Sequence, residues 1–169
     1  MPKLKVKRFK IPTKTVLVVL ILSVLLLLFT KKIFLQLALF GACAAFMIKY
    51  GSGMMLDVDP VPFASTLILY LSGLVPGILF ITFALPLVDI LSGRFSHYSI
   101  INYFSAILSL LILTFIFPAA LILPTGIVLF NIIRTFICVF LGLGPETIPF
   151  NFAHAIIYFI LGSLVSYFI

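Results

Sequence analysis

Long apolar runs, interrupted by very few charges, constrain this chain more than any other feature. Of its 169 residues, 64% are hydrophobic and only 9% are charged, and the mean hydropathy is +1.39. An ordinary soluble domain is roughly a quarter charged, and a fold of this size cannot hide so much apolar surface from water. The sequence therefore predicts an all-α, polytopic bundle of transmembrane helices that crosses the cell membrane several times.

The lengths of the apolar runs place the helices. A helix rises about 1.5 Å per residue, so a crossing needs roughly 17 to 25 residues. We expect one membrane domain at 31–169, preceded by an extra transmembrane helix at 15–30 and a basic tail at 1–14. Pro76 and its neighbouring glycines should break one overlong run into two helices. The six helices predicted for the domain are 33–49, 61–73, 76–92, 98–117, 124–141 and 150–169.

The net charge of +7 is concentrated in the basic tail. Lysines and one arginine immediately before an apolar run indicate a segment that faces anionic lipid headgroups. No basic fold extends beyond the tail, so a nucleic-acid partner is not expected. Cys43 and Cys138 both lie within apolar runs, which predicts small core residues rather than a disulfide or a metal pair. No cofactor is expected.

Successive helices alternate in direction, so the connections between them segregate to two sides. One side holds nearly all the polar residues, and it contains the connections 50–60, 93–97 and 142–149. The opposite side contains those at 31–32, 74–75 and 118–123. The polar side includes Asp57, Asp59, Arg94, His97 and Glu146, with Lys49, Asp89, Asn151 and His154 at the helix ends that open onto it.

Arg134 lies deeper, about two turns from the polar side, where a charge in hydrocarbon must face the bundle interior or snorkel. Asp89 is the hypothesised ion-pair partner, and Asn131 is one turn away on the same helical face. We expect a ligand-binding site formed by Asp89, Asn131, Arg134, Asn151 and His154. The alternative for the asparagines, including Asn102, is interhelical hydrogen bonding. The alternative for the histidines is a core or interfacial position, because neither has a second metal ligand at suitable spacing.

No catalytic motif is apparent in the sequence. It has no nucleophile elbow, no H-E-x-x-H and no Walker A loop, so no enzymatic activity is expected. Asp57 and Asp59 could hold a divalent ion on a phosphate, as in an intramembrane enzyme acting on a lipid head group. The favoured interpretation is that they cap a loop or the next helix.

From Ile33 onwards the order of features resembles the substrate-binding S component of energy-coupling factor transporters. The first matching helix carries small-xxx-small spacing at Ala38 and Ala42, and an acidic, proline-containing loop (LDVDPVP) follows it. A Gly/Pro-broken helix pair ends in Asp (SGLVPGILFITFALPLVD), and the last two helices carry Asn131 and Asn151. The same order is similar to the rod-shape-determining membrane protein D family. Either resemblance covers about four-fifths of the chain.

The S-component resemblance implies a six-helix bundle that binds a vitamin or similar small molecule at its outer face. It also implies that a helix rich in small residues docks on a membrane-embedded coupling subunit, which works with separate ATPases. The residues for that role are Ala38, Gly41, Ala42 and Ala45. The alternative resemblance implies a membrane scaffold that recruits cytoplasmic partners. Orientation separates them, because a cytoplasmic tail followed by seven crossings would place the polar side in the cytoplasm.

Overall fold

A computed structural model of the protein describes Val18 and residues 32–51, 59–143 and 147–169. These ranges contain six helices and no strand, which confirms the all-α class. The predicted tail at 1–14, the extra helix at 15–30 apart from Val18, Asp57 and Glu146 lie outside the described residues, as do residues 52–58 of the 50–60 connection. The helices are α1 (Ile33–Tyr50), α2 (Val61–Ser72), α3 (Leu74–Leu91), α4 (His97–Ile116), α5 (Ala119–Phe140) and α6 (Thr147–Phe168).

Five of the helices in these ranges are long and apolar enough to cross a membrane, namely all except α2. This part of the chain is therefore a multi-pass membrane bundle. Helix α2 has 12 residues and spans about 18 Å, well short of the roughly 30 Å hydrocarbon core. The break after it falls at Gly73, whose φ of 93° suits glycine. Pro76 instead lies in the first turn of α3, where a missing backbone donor costs no helical hydrogen bond.

The predicted start of the fifth helix at residue 124 is wrong. Helix α5 begins at Ala119, directly after Pro118, and Pro124 lies inside it. A helix in lipid tolerates an internal proline when neighbouring groups take over the freed backbone contacts. The carbonyl that Pro124 leaves without its helical donor is that of Ala120, and beside it the Thr125 hydroxyl donates to the Leu121 carbonyl at 2.5 Å. The connection between α4 and α5 is correspondingly short, and α6 likewise begins three residues before its predicted start at residue 150.

The short helix α2 is central, since it packs against α1, α3, α4 and α5. It forms a hairpin with α3, in which a Cβ on Gly77 would lie in ordinary contact, 3.4 Å from both the Leu69 Cβ and the Ser65 carbonyl oxygen. Helix α6 lies at the edge and packs mainly along α5. The largest fully buried side chains include Phe80, Phe130, Met47, Ile68, Ile81 and Leu110.

Two contacts identify the ends of the bundle. The Lys32 Nζ donates to the Leu71 carbonyl at 3.0 Å, which brings the start of α1 to the end of α2. Arg94 Nη1 lies 4.0 Å from Met47 Sδ, which brings the α3–α4 connection to the last turn of α1. We call these the Lys32 end and the Arg94 end. Both contacts agree with the predicted division of the connections between two sides.

Helices α5 and α6 approach closely at Gly162. A Cβ at this position would lie 2.5 Å from the Leu123 carbonyl oxygen and 3.2 Å from the Pro124 Cα. Small residues allow such approaches in lipid, where apolar contact alone gives little net attraction between helices. The contact is with backbone, so it cannot be relieved by turning a side chain.

We predict that Gly162→Ala destabilises the bundle by about 1 to 3 kcal/mol, the usual cost of overpacking. Thermal unfolding of the purified protein in detergent measures the change. Gly41→Ala is the matched control, because a Cβ there would meet no atom within 4 Å and alanine is the better helix former. Equal stability of the two variants would show that the α5–α6 approach is not this tight.

Candidate functional site

A buried polar cluster joins the start of α2 to α5 and α6. His154 of α6 is 1% exposed, and its Nδ1 lies 3.2 Å from Asn131 Oδ1 on α5. Its Nε2 lies 3.2 Å from the Asp59 backbone carbonyl oxygen, just before α2. The Asn131 Nδ2 in turn donates to the Ile127 carbonyl at 2.8 Å. We call Asp59, Asn131 and His154 the His154 cluster.

Aromatic rings enclose the imidazole of His154. The Tyr158 ring stands nearly perpendicular to it with centroids 4.8 Å apart, and the Phe130 ring is perpendicular at 6.2 Å. Phe63 of α2 packs against Tyr158 at 5.2 Å. The hydrogen bonds of His154 therefore lie in an apolar shell, where the loss of one is costly.

Asp59 is 3% exposed. Its Oδ1 accepts the backbone N–H of Val61 at 2.9 Å, at the first residue of α2. This matches the interpretation of Asp59 as a residue that caps the next helix. The carboxylate satisfies one of the N–H groups that a helix start leaves without an intrahelical partner.

A second polar contact joins α5 and α6 closer to the Arg94 end. The Asn151 Nδ2 donates to Thr135 Oγ1 at 2.8 Å, so Asn151 acts as an interhelical hydrogen-bond donor. Thr135 was not predicted from the sequence, because nothing distinguishes it from other hydroxyls in apolar helices. The only hint in the sequence was its position four residues after Asn131, which places both residues on the same face of the helix.

A groove of about 620 Å³ runs along the outer side of α5 and α6. Asn131, Thr135 and Asn151 contribute its polar lining, and the remainder is apolar. Phe136 and Phe152 on its walls are 73% and 67% exposed. A groove of this composition on a membrane helix pair faces the lipid rather than the bundle interior.

Arg134 is buried on α5, one turn beyond Asn131. A Cβ on Gly126 would lie 3.3 Å from Leu113 Cδ1, which sets the antiparallel alignment of α5 with α4. Arg134 lies eight residues after Gly126 on α5, and Ser105 lies eight residues before Leu113 on α4. Arg134 and Ser105 therefore lie at about the same depth.

Helix α4 presents a row of buried polar residues to the bundle, at helical spacing. We call it the α4 polar row, and it consists of Ser99, Asn102, Ser105 and Ser109. The Ser109 hydroxyl donates to the Ala106 carbonyl at 2.8 Å. Within the described part of the chain, Asn102 Oδ1 and Ser105 Oγ are buried without a hydrogen-bond partner. Asn102 was predicted from the sequence, whereas the serines were not, although their spacing of three to four residues was visible.

Asp89 is buried near the end of α3, away from the His154 cluster. Its backbone carbonyl accepts the Arg94 N–H at 2.8 Å and the Ser92 hydroxyl at 3.3 Å. Helix α4 packs against both α3 and α5, which carry Asp89 and Arg134. The ion pair between these two residues stays a prediction.

The other polar candidates lie apart from the cluster. His97 is exposed at the start of α4, where its ring contacts that of Tyr98 at 4.2 Å. Cys43 and Cys138 are buried, as predicted for core residues. Among the described residues, no three His, Cys, Asp or Glu side chains come together as a metal site.

The small residues of α1 face outward. Ala38, Gly41, Ala42 and Ala45 are all exposed, and we call them the α1 stripe. The opposite face of α1 is buried and carries Gln36, Cys43, Ala44 and Met47. Gln36 was not predicted as a core residue, since a single glutamine near a helix start suggests an interfacial position. Within the described part of the chain, the α1 stripe therefore lies on the surface of the bundle.

No family model, no characterised protein and no solved structure matches this chain. What the protein does must therefore be inferred from the placement of its polar and small residues.

We predict that Asn151 and Thr135 are coupled in stability. A double-mutant cycle with Asn151→Ala and Thr135→Val should give a coupling of about 0.5 to 1.5 kcal/mol, the range for hydrogen bonds between membrane helices. Unfolding of the four proteins in the same detergent measures it. Strict additivity of the two substitutions would contradict the hydrogen bond.

Proposed function

We propose that this protein is the membrane-embedded substrate-binding subunit of a small-molecule uptake transporter, of the S-component type. Its energy would come from separate ATPases acting through a coupling subunit, and the chain itself would carry out no reaction. The observation that carries the proposal is that polar and small residues occupy different surfaces of the helices. Polar side chains are buried inside the bundle, while α1 turns its small residues outward.

The buried polar groups support ligand binding. A small-molecule site is mostly apolar with a few placed polar groups, and the interface between α4 and α5 combines buried apolar side chains with the α4 polar row and Arg134. Asn102 and Ser105 supply polar atoms without partners in the described chain, at the depth of Arg134. A guanidinium at this place favours a ligand that carries a carboxylate or a phosphate.

The α1 stripe supports docking on another membrane protein. Small residues three and four positions apart let a second helix approach closely, and such approaches stabilise helix pairs in lipid. A Cβ on Gly41 would meet nothing within 4 Å. The occupant we propose is a helix of the coupling subunit, and membrane lipid covers the stripe before assembly.

A membrane scaffold of the rod-shape-determining protein D type is the second candidate. The basic tail at 1–14 favours it, because a cytoplasmic tail followed by crossings at 15–30 and at α1 would turn the Arg94 end to the cytoplasm. A transporter subunit needs the Arg94 end outside, where the ligand arrives. Orientation in the cell membrane is therefore the deciding measurement.

We predict that the Arg94 end faces outward. In a background with Cys43 and Cys138 replaced by alanine, single cysteines are placed at His97 and Ala119, which are exposed at opposite ends. A membrane-impermeant maleimide applied to intact cells should label His97→Cys. It should label Ala119→Cys only after the cells are permeabilised. The reverse pattern would overturn the transporter and support the scaffold.

We also predict that Ala42→Leu prevents assembly without unfolding the chain. An inserted leucine overpacks a close helix contact by about 1 to 3 kcal/mol, which weakens association roughly 5- to 150-fold. Co-purification with coupling subunits of the same organism measures the loss, and thermal unfolding checks the fold. Ala120→Leu is the matched control, since Ala120 is exposed on α5 outside the stripe. Equal assembly of both variants would exclude the stripe as the docking face.

A further inference from the structure

The two ring nitrogens of His154 face acceptors on both sides. The Nε2 lies 3.2 Å from the backbone carbonyl oxygen of Asp59. A carbonyl oxygen can only accept a hydrogen bond, so Nε2 must carry a hydrogen. A neutral imidazole has one N–H only, and in that case Nδ1 would have to be an acceptor.

The orientation of the Asn131 amide excludes an acceptor role for Nδ1. Nδ1 faces the Asn131 Oδ1 at 3.2 Å, and the Nδ2 of the same amide donates to the Ile127 carbonyl at 2.8 Å. Turning the amide over would bring Oδ1 against the Ile127 oxygen, two acceptors with no hydrogen between them. Because the backbone carbonyl fixes the amide, Nδ1 must donate as well.

We propose that His154 is a buried proton-binding site, and that its imidazole carries a hydrogen on both nitrogens with Asp59 as the counter-ion. The imidazolium then donates to the Asp59 backbone carbonyl on one side and to Asn131 Oδ1 on the other. It links the start of α2 to α5 from a position on α6. This goes beyond the proposed transport function and does not depend on it.

The charges of the buried residues agree with this assignment. Among the described residues, the buried side chains that carry a charge at neutral pH are Asp59, Asp89 and Arg134. Of these three, Asp59 lies in the His154 cluster, where a cationic His154 compensates its charge locally. Buried charge in an apolar bundle is tolerated when it is compensated.

The titratable groups around His154 come from each element packed near it. Asp59 faces it from the start of α2, and Tyr158 contacts it from α6 itself. Arg134 and Cys138 lie on the buried face of α5, one and two turns beyond Asn131. Of these, Asp59 is the anion in the cluster.

Loss of the second proton has a structural consequence. A lone pair on Nδ1 would face the Asn131 oxygen, and one on Nε2 would face the Asp59 carbonyl. Either arrangement breaks one of the two contacts, because two acceptors repel. Proton release from His154 therefore loosens α6 from α5 or from the start of α2.

The test is nuclear magnetic resonance of the whole chain in lipid nanodiscs at pH 7, with ¹⁵N in the histidine rings. The chain has two histidines, and His97→Gln assigns the His154 signals. We expect both His154 nitrogens to be protonated, whereas the exposed His97 provides the water-exposed reference. One protonated and one bare nitrogen at His154 would overturn the proposal.

A second pair of variants tests the counter-ion. Asp59→Asn keeps an acceptor for the Val61 N–H but removes the negative charge, and His154 should then lose one of its two ring protons. Asp89→Asn is the matched control on α3, and it should leave both protons in place. Retention of both protons in Asp59→Asn would overturn the assignment of Asp59 as counter-ion.

Discussion

The length of α2 determines much of the arrangement. With 12 residues it rises about 18 Å, and its last turn is held at the Lys32 end by the bond from Lys32 to the Leu71 carbonyl. Its first turn therefore begins inside the bundle rather than at the opposite surface. A helix start in an apolar environment exposes unpaired N–H groups. The Asp59 carboxylate satisfies one of these groups, and His154 satisfies the carbonyl of the same residue. The polar cluster is thus the consequence of a helix that is too short to cross.

Two glycines allow close approaches that bring α5 to α2 and α6 to α5. Thr66 of α2 would clash with a side chain at Gly126 of α5, and the Leu123 carbonyl would clash with one at Gly162 of α6. In lipid, packing and hydrogen bonds have to stabilise helix pairs, because apolar surface alone does not drive them together. Gly126 lets α5 approach α2, and Gly162 lets α6 approach α5, on which Asn131 contacts His154 and Thr135 contacts Asn151. The interhelical hydrogen bonds between α5 and α6 therefore depend on the close approach that Gly162 allows.

Apolar length was enough to predict the class of the fold and the approximate helix bounds, since the membrane fixes how many residues a crossing needs. It failed at the start of α5, because a proline inside a lipid-embedded helix gives the same sequence signal as a proline before one. The interhelical role of Asn131 and Asn151 was among the alternatives, but their partners were not predictable. The neighbours of each helix are determined by tertiary packing. The sequence does not show how residues of two distant helices align with each other. The orientation of the α1 stripe was likewise settled by packing alone.

The hydrogen bonds also change which residues are the best candidates for ligand contact. His154 and Asn131 use their polar atoms on each other and on backbone carbonyls, so a ligand could reach them only by displacing a hydrogen bond. Asn151 is similarly engaged with Thr135. In contrast, the α4 polar row offers Asn102 and Ser105 atoms that the described chain leaves without partners. A buried polar atom without a partner carries a desolvation cost of about 1 to 3 kcal/mol, which a ligand that supplies the missing partner would recover. Under the proposed transport function, the α4 polar row is therefore the better candidate for contact with a ligand, whereas the His154 cluster holds the start of α2 against α5 and α6.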